Sequence, residues 1–260
     1  MSMAFPGYVA PEQVMKDRAD YARKGIARGR SLAALVYDDG ILICAENPSN
    51  TLRKVSEIYD RIGFAGVGKY NEFDQLRIAG VRHADLKGYS FSREDVDAKG
   101  LANQYAQILG QIFTHEMKPM EVEILVAEVA EVAGGPDDAT GDQLYHILYD
   151  GTVMDEDRYT VLGGEAETIA ARLAESWREG LSLSDAVGGA TAALSGPDRV
   201  LASGELEVAG LARSNGRRAF RRIEGAELAA MVPGAPDDVA PPAIPPEPKA
   251  DIPPPPPDDA

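Results

Sequence analysis

The sequence predicts an α+β fold: a four-layer αββα sandwich of helices, sheet, sheet and helices, with one extra helix in front. Three observations lead there. Strand and helix signals come in blocks of four strands, two helices, about four strands, two helices and two strands. Helices therefore arrive in pairs, whereas a doubly wound parallel sheet alternates single helices with single strands. The strands are unbroken apolar runs such as SLAALVY and ILICA, which need cover on both faces. Finally, 260 residues with 44% hydrophobic content suffice for one large domain or two small ones.

Each element has its own signal. Pro11 suits the first turn of a helix, where a missing N–H loses no partner, and Val14, Tyr21, Ala22 and Ile26 form a narrow apolar stripe among charges. This helix is expected to be mostly solvated and to weaken at Gly25 and Gly29. Residues 31–37 read as a strand, Asp39-Gly40 as a two-residue hairpin turn, and 41–45 as the returning strand. After the loop ENPSNTLRK, short β-like runs span 56–62 and 64–68, and helices follow over 72–85 and 98–115. In the second of these, Leu101, Tyr105, Ile108, Leu109, Ile112 and Phe113 recur at spacings of three and four.

VEILVAEVA, QLYHILYD and RYTVLGG return to strand, punctuated by the turn cluster GGPDDATGD and by Asp150-Gly151. Helices over 165–178 and 182–194 come next, the latter opened by a partial capping signal from Ser182 and Asp185. SGELEVAGLAR and RRAFRRI close the chain as strands, with a short helix over 226–231.

Composition excludes several function classes. Residues 233–260 hold 12 of the 18 prolines, six acids and one lysine, so ordering them would cost entropy with little apolar burial in return. They are expected to be a disordered acidic Pro-rich tail, either a tether or a Pro-rich ligand for another protein. Removing their six acids and one lysine changes the net charge from -16 to -11, which argues against a phosphate-backbone binder and hence against nucleic acid. No apolar run approaches membrane-spanning length and the N-terminus lacks a signal-peptide pattern, so a cytoplasmic location without membrane contact is expected. The single cysteine, Cys44, lies inside ILICA and reads as a buried small hydrophobe.

Local motifs for chemistry are weak. GFAGVGKY, residues 63–70, satisfies GxxxxGK but has tyrosine where a phosphate-binding loop needs Ser or Thr for magnesium, and Phe64, Ala65 and Val67 suit a strand better. His83, His115 and His146 stand far apart without metal-ligand spacing, so neither a metal nor a cofactor is expected. Arg217, Arg218, Arg221 and Arg222 surround Phe220 and read as a solvated or ion-pairing strand face.

Longer stretches are more specific. PEQVMKDRADYARKGIARG, SEIYDRIGFAGVGKYNEFDQLR, KGLANQYAQILGQIFT with the following MKPMEVEILVAEV, and RRAFRRIEG together resemble the α-type subunits of the 20S proteasome, closely those of actinobacteria. The resemblance covers about residues 8–232. It implies the N-terminal-nucleophile hydrolase fold and a proteasome α-type domain over 11–232.

The family's β-type subunits start their first strand with a threonine freed from a propeptide, whose hydroxyl attacks the peptide bond while its amine serves as base. Here the chain enters that strand through Arg28-Gly29-Arg30-Ser31, with no threonine at the junction and a helix ahead of it. The resemblance thus implies a subunit without catalytic residues. By the same resemblance it would form a homo-heptameric outer ring against proteasome β subunits and admit unfolded substrates, tagged with a small ubiquitin-like protein, that an AAA ATPase ring delivers.

Residues 1–10 would be a flexible gate segment, with Phe5, Pro6, Gly7 and Tyr8 closing the pore. The tyrosine-aspartate-arginine gate pattern of archaeal and eukaryotic relatives is absent. Lys54, by its spacing an ordinary exposed lysine, would by resemblance line the pocket for the C-terminal carboxylate of the ATPase. A threonine protease and a phosphate-loop nucleotide binder stand as the alternative readings.

Overall fold

A computed structural model of the chain describes residues 10–130 and 141–232. The gate residues Phe5, Pro6, Gly7 and Tyr8, most of the GGPDDATGD cluster and the Pro-rich tail lie outside the described residues.

Helix α1 (Pro11–Ile26) leads into β1 (Leu32–Tyr37), β2 (Gly40–Glu46), β3 (Val55–Tyr59) and β4 (Ile62–Gly68). Then come α2 (Tyr70–Ser90), α3 (Ala98–His115), β5 (Val122–Glu128), β6 (Gln143–Ile147), β7 (Val153–Glu156) and β8 (Tyr159–Leu162). Helices α4 (Ala166–Ser176) and α5 (Leu183–Ser195), strands β9 (Leu206–Ala212) and β10 (Phe220–Ile223), and helix α6 (Gly225–Met231) complete the chain. One five-stranded sheet runs β10-β9-β2-β1-β8 and the other β3-β4-β5-β6-β7. Neighbouring strands pair antiparallel.

The expected four layers follow from two-residue periodicity inside apolar runs. On β2, Leu42 and Cys44 face helices α4 and α5, while Ile41, Ile43 and Ala45 face the opposite sheet. On β4, Ile62 and Phe64 pack under α2 and α3, while Ala65 and Val67 turn inward between the sheets. Burial pushes the Cys44 thiol up to about 12, as befits a small apolar residue. Among the described residues no helix is long and apolar enough to cross a membrane.

Four expectations need correction. The first hairpin turns at Asp38-Asp39, because Gly40 already pairs with Tyr37 as the first residue of β2. Gly40 has φ +146, and a Cβ there would lie 1.9 Å from the Leu211 carbonyl oxygen of β9. The run over 56–62 is not one strand: Asp60, at φ +32, turns the chain between β3 and β4. Arg93 holds that turn with two hydrogen bonds to the Asp60 carboxylate, 3.1 and 2.5 Å, while lying over the Tyr59 ring.

Helix α2 runs past Asp85 to Ser90 because Gly88 is a contact point and not a stop: a Cβ there would meet the Tyr59 hydroxyl at 2.2 Å. Strand β7, with the sequence VMDE, has no apolar signal because it is a sheet edge. The other edges are β3, β8 and β10. RRAFRRI is shorter as a strand than expected, since β10 begins at Phe220 and leaves Arg217 and Arg218 before it.

Candidate functional site

One end of the sandwich gathers the residues of interest. There β1 begins, β2 ends, β3 begins and β9 begins, so charged side chains from both sheets converge where the apolar layers stop. Lys54 immediately precedes β3 and is half-buried rather than freely exposed as its spacing predicts. Its Nζ donates to the Arg30 carbonyl oxygen at 2.5 Å. Burial brings the Lys54 amine down to about 8, against the opposing pull of the Glu46 and Glu207 carboxylates and with a smaller push from Arg30.

Two buried carboxylates organise the surroundings. Glu46, 5% exposed at the end of β2, accepts from Arg30 Nη1 at 2.5 Å and from Arg199 Nη1 and Nη2 at 2.8 and 2.7 Å. Burial alone would raise its carboxyl, but Arg199 and then Arg30 hold it below the usual carboxylate range. Glu207, 3% exposed on β9, accepts from the Lys54 backbone N–H at 2.8 Å, Asn47 Nδ2 at 2.7 Å and Arg222 Nη1 at 2.8 Å. A cleft of about 310 Å³ opens beside Glu46, lined by Gly29, Arg30, Ser31, Glu165 and Arg199, and Lys54 does not line it.

Ser31 stands at the junction where the chain enters β1. It is buried, its amine is an amide to Arg30, and the chain continues without a break into α1. Helix α1 lies against the Gly68–Glu121 region at the mouth between the sheets. Gly25 in the helix and Gly29 in the turn after it permit this approach: a Cβ on Gly25 would meet Glu121 Oε1 at 2.2 Å, and one on Gly29 the Gly68 nitrogen at 2.8 Å. The two residues expected to weaken the helix end are therefore its contact points. Farther along α1, Arg18 donates to the carbonyls of Phe113 and Glu116 at the C-terminal end of α3.

The other sequence candidates fall elsewhere. GFAGVGK forms strand β4 and its end, and Lys69 Nζ lies 3.8 Å from Glu72 and 3.7 Å from Glu121, within ion-pair range of two carboxylates. His83, His115 and His146 sit apart on α2, α3 and β6. Three arginines of the cluster pair within the chain: Arg218 with Glu57, Arg221 with Glu227 and Arg222 with Glu207.

Sequence reasoning missed Glu46, Asn47, Arg199, Glu207 and Arg222 as parts of the Lys54 surroundings. A signal did exist, since an acid inside LEVAGLA or ending ILICAE must be paired once it is buried.

The family profile described as "Proteasome subunit" matches residues 26–209, from the end of α1 into β9. The chain belongs to the proteasome subunit family. Its relatives place it with the α type: it is 56% identical over 237 residues to the proteasome subunit alpha of Xylanimonas cellulosilytica, covering 87% of this chain and 95% of that one. The proteasome subunit alpha of Acidimicrobium ferrooxidans is 58% identical over 226 residues, 87% of this chain and 95% of the relative. That of Rhodococcus opacus is 53% identical over 255 residues, 96% of each. Fold and similarity thus agree on an α-type proteasome subunit with the N-terminal-nucleophile hydrolase sandwich.

Proposed function

We propose that this chain is a non-catalytic subunit of a 20S proteasome core. Seven copies form an outer ring against proteasome β subunits, residues 1–10 gate the axial pore, and Lys54 receives the C-terminal carboxylate of an AAA ATPase ring. That ATPase delivers unfolded substrates carrying a small ubiquitin-like tag, in the cytoplasm.

The observation that carries the docking half is the setting of Lys54. An ammonium held at a sheet end by a main-chain carbonyl, in the field of two buried carboxylates, is preorganised, so it binds an incoming carboxylate with little further loss of side-chain freedom. The lack of catalysis is supported by the absence of a threonine in the Arg28-Gly29-Arg30-Ser31 junction and by the likeness to proteasome subunits named alpha. The catalytic design of the β type needs a threonine hydroxyl together with that residue's freed amine, whose nitrogen lone pair is the base.

The test is co-expression with the β partner followed by electron microscopy for a four-ring cylinder, with peptide cleavage measured on this chain alone and on the assembly. Cleavage by the assembly only is the expected result. Cleavage by this chain alone, abolished by a threonine-directed inhibitor, would overturn it.

A further inference from the structure

We infer that Glu207 is the positioning residue of the Lys54 site, a buried carboxylate on one sheet that sets the place and aim of an ammonium on the other. The inference rests on Lys54 as the docking cation.

The four acceptor directions of the Glu207 carboxylate are all used, and every donor belongs to the segment that carries Lys54 or to the arginine that braces it. Oε2 takes the Lys54 N–H at 2.8 Å and Asn47 Nδ2 at 2.7 Å, while Oε1 takes the Val55 N–H at 3.3 Å and Arg222 Nη1 at 2.8 Å. Arg222 then turns its Nη2 to the Val55 carbonyl at 2.7 Å.

Strand β3 edges its sheet, so its outward N–H groups have no neighbouring strand. Glu207 stands in for that strand. The Lys54 backbone is gripped from both sides, its N–H by Glu207 and its carbonyl by the Gly66 N–H at 3.1 Å, which fixes the point from which the side chain departs to reach the Arg30 carbonyl. Asn47 links the other end of the loop into the same clamp, since its Nδ2 also donates to the Leu52 carbonyl at 2.7 Å.

The role goes beyond holding the fold. The apolar layer between the sheets is continuous without Glu207, whereas the partners of Glu207 are concentrated in residues 47–55 and on Arg222. Its charge also acts on the ammonium. Glu46 and Glu207 favour the charged form of Lys54 and Arg30 opposes it; Arg199 engages Glu46, Arg222 engages Glu207, and Arg53 is paired with Glu224. Removing the Glu207 charge takes away one of the two groups that keep Lys54 protonated.

Two measurements on the full chain assembled with its β subunits separate the possibilities. Competitive acetic anhydride labelling, read by peptide mass spectrometry, gives the titration midpoint of the Lys54 amine. The binding probe is a fluorescent peptide from the C-terminus of the co-expressed ATPase, with a free carboxylate or an amide, measured from acid to alkaline pH. In the parent chain the midpoint is expected near 8 and the carboxylate peptide is favoured.

Glu207→Gln is expected to lower the midpoint; for a midpoint one pH unit lower, the charged fraction at pH ~7.5 falls about threefold, and binding recovers on acidification. Glu207→Asp keeps the charge but withdraws the carboxylate from the Lys54 N–H, so binding weakens at every pH with little change of midpoint. Parent-like midpoint and binding in Glu207→Gln, or parent-like binding in Glu207→Asp if the first variant fails to assemble, would overturn the assignment of Glu207. Parent-like binding by Lys54→Ala would instead sink the docking reading beneath it.

Discussion

Arg18, midway along α1, donates its Nη1 to the Phe113 carbonyl oxygen of α3 at 2.7 Å. The same guanidinium reaches the Glu116 carbonyl at 2.5 Å, so a cation satisfies two acceptors at the negative end of a helix. Beside it, Lys118 lies over the Tyr21 ring at 5.6 Å. Arg18→Gln is therefore expected to cost about 1–2 kcal/mol, a fall in Tm of roughly 2–8 °C for a domain of this size. Hydrogen exchange should quicken in α1 and at the end of α3, and unchanged exchange there would show that the contact does not hold the helix.

The proposed gating role of residues 1–10 is tested by deletion. Removing residues 1–8 should raise peptide turnover by the assembled core severalfold while leaving inhibitor sensitivity of the β sites as it was. Equal turnover before and after deletion would remove Phe5, Pro6, Gly7 and Tyr8 from the pore.

Lys54 carries opposite signs for docking and for stability. Lys54→Ala should abolish ATPase-dependent degradation and leave ring assembly intact. Its folded amine titrates near 8, below the ordinary lysine value of 10.5, so holding the charged form in the fold is unfavourable. Below pH 8 both folded and unfolded chains carry the proton and that cost is constant. Between 8 and 10.5 the unfolded chain binds more protons, so stability from this group rises with pH. Lys54→Met is thus expected to stabilise the chain by up to ~3 kcal/mol at neutral pH, an advantage that disappears near pH 10.5 in denaturant titrations.

Gly40→Ala should be among the costliest single-methyl additions in the protein. It forces a side chain into a positive-φ residue and against the Leu211 carbonyl, for a loss of about 2–3 kcal/mol in chemical denaturation. A loss under ~0.5 kcal/mol would mean that β2 and β9 can part at this point without consequence.

Block order, layer count and the helix pairs are legible from periodicity, because apolar runs and three-four spacings report directly on burial. Strand ends are less so. The left-handed turn at Asp60 is held by Arg93, which reaches it from beyond α2 and also lies over the ring of the neighbouring Tyr59, and β7 is acidic because edges reward charge. The docking role proposed for Lys54 is visible only through family resemblance. Its supports are not, since Glu46, Arg199, Glu207 and Arg222 are scattered over 177 positions and meet only when two sheets end at the same level.

The sheet margins have a consequence for the chain's company. Strands β7, β8 and β10 are four residues long; β7 carries Asp155 and Glu156, and β10 carries Arg221 and Arg222. The remaining margin, β3, has the N–H groups at its start taken by Glu207. Among the described residues, crowded copies therefore find no long bare ladder to extend into an aggregate. They are left to meet through side chains, where a wrong encounter can come apart and be tried again.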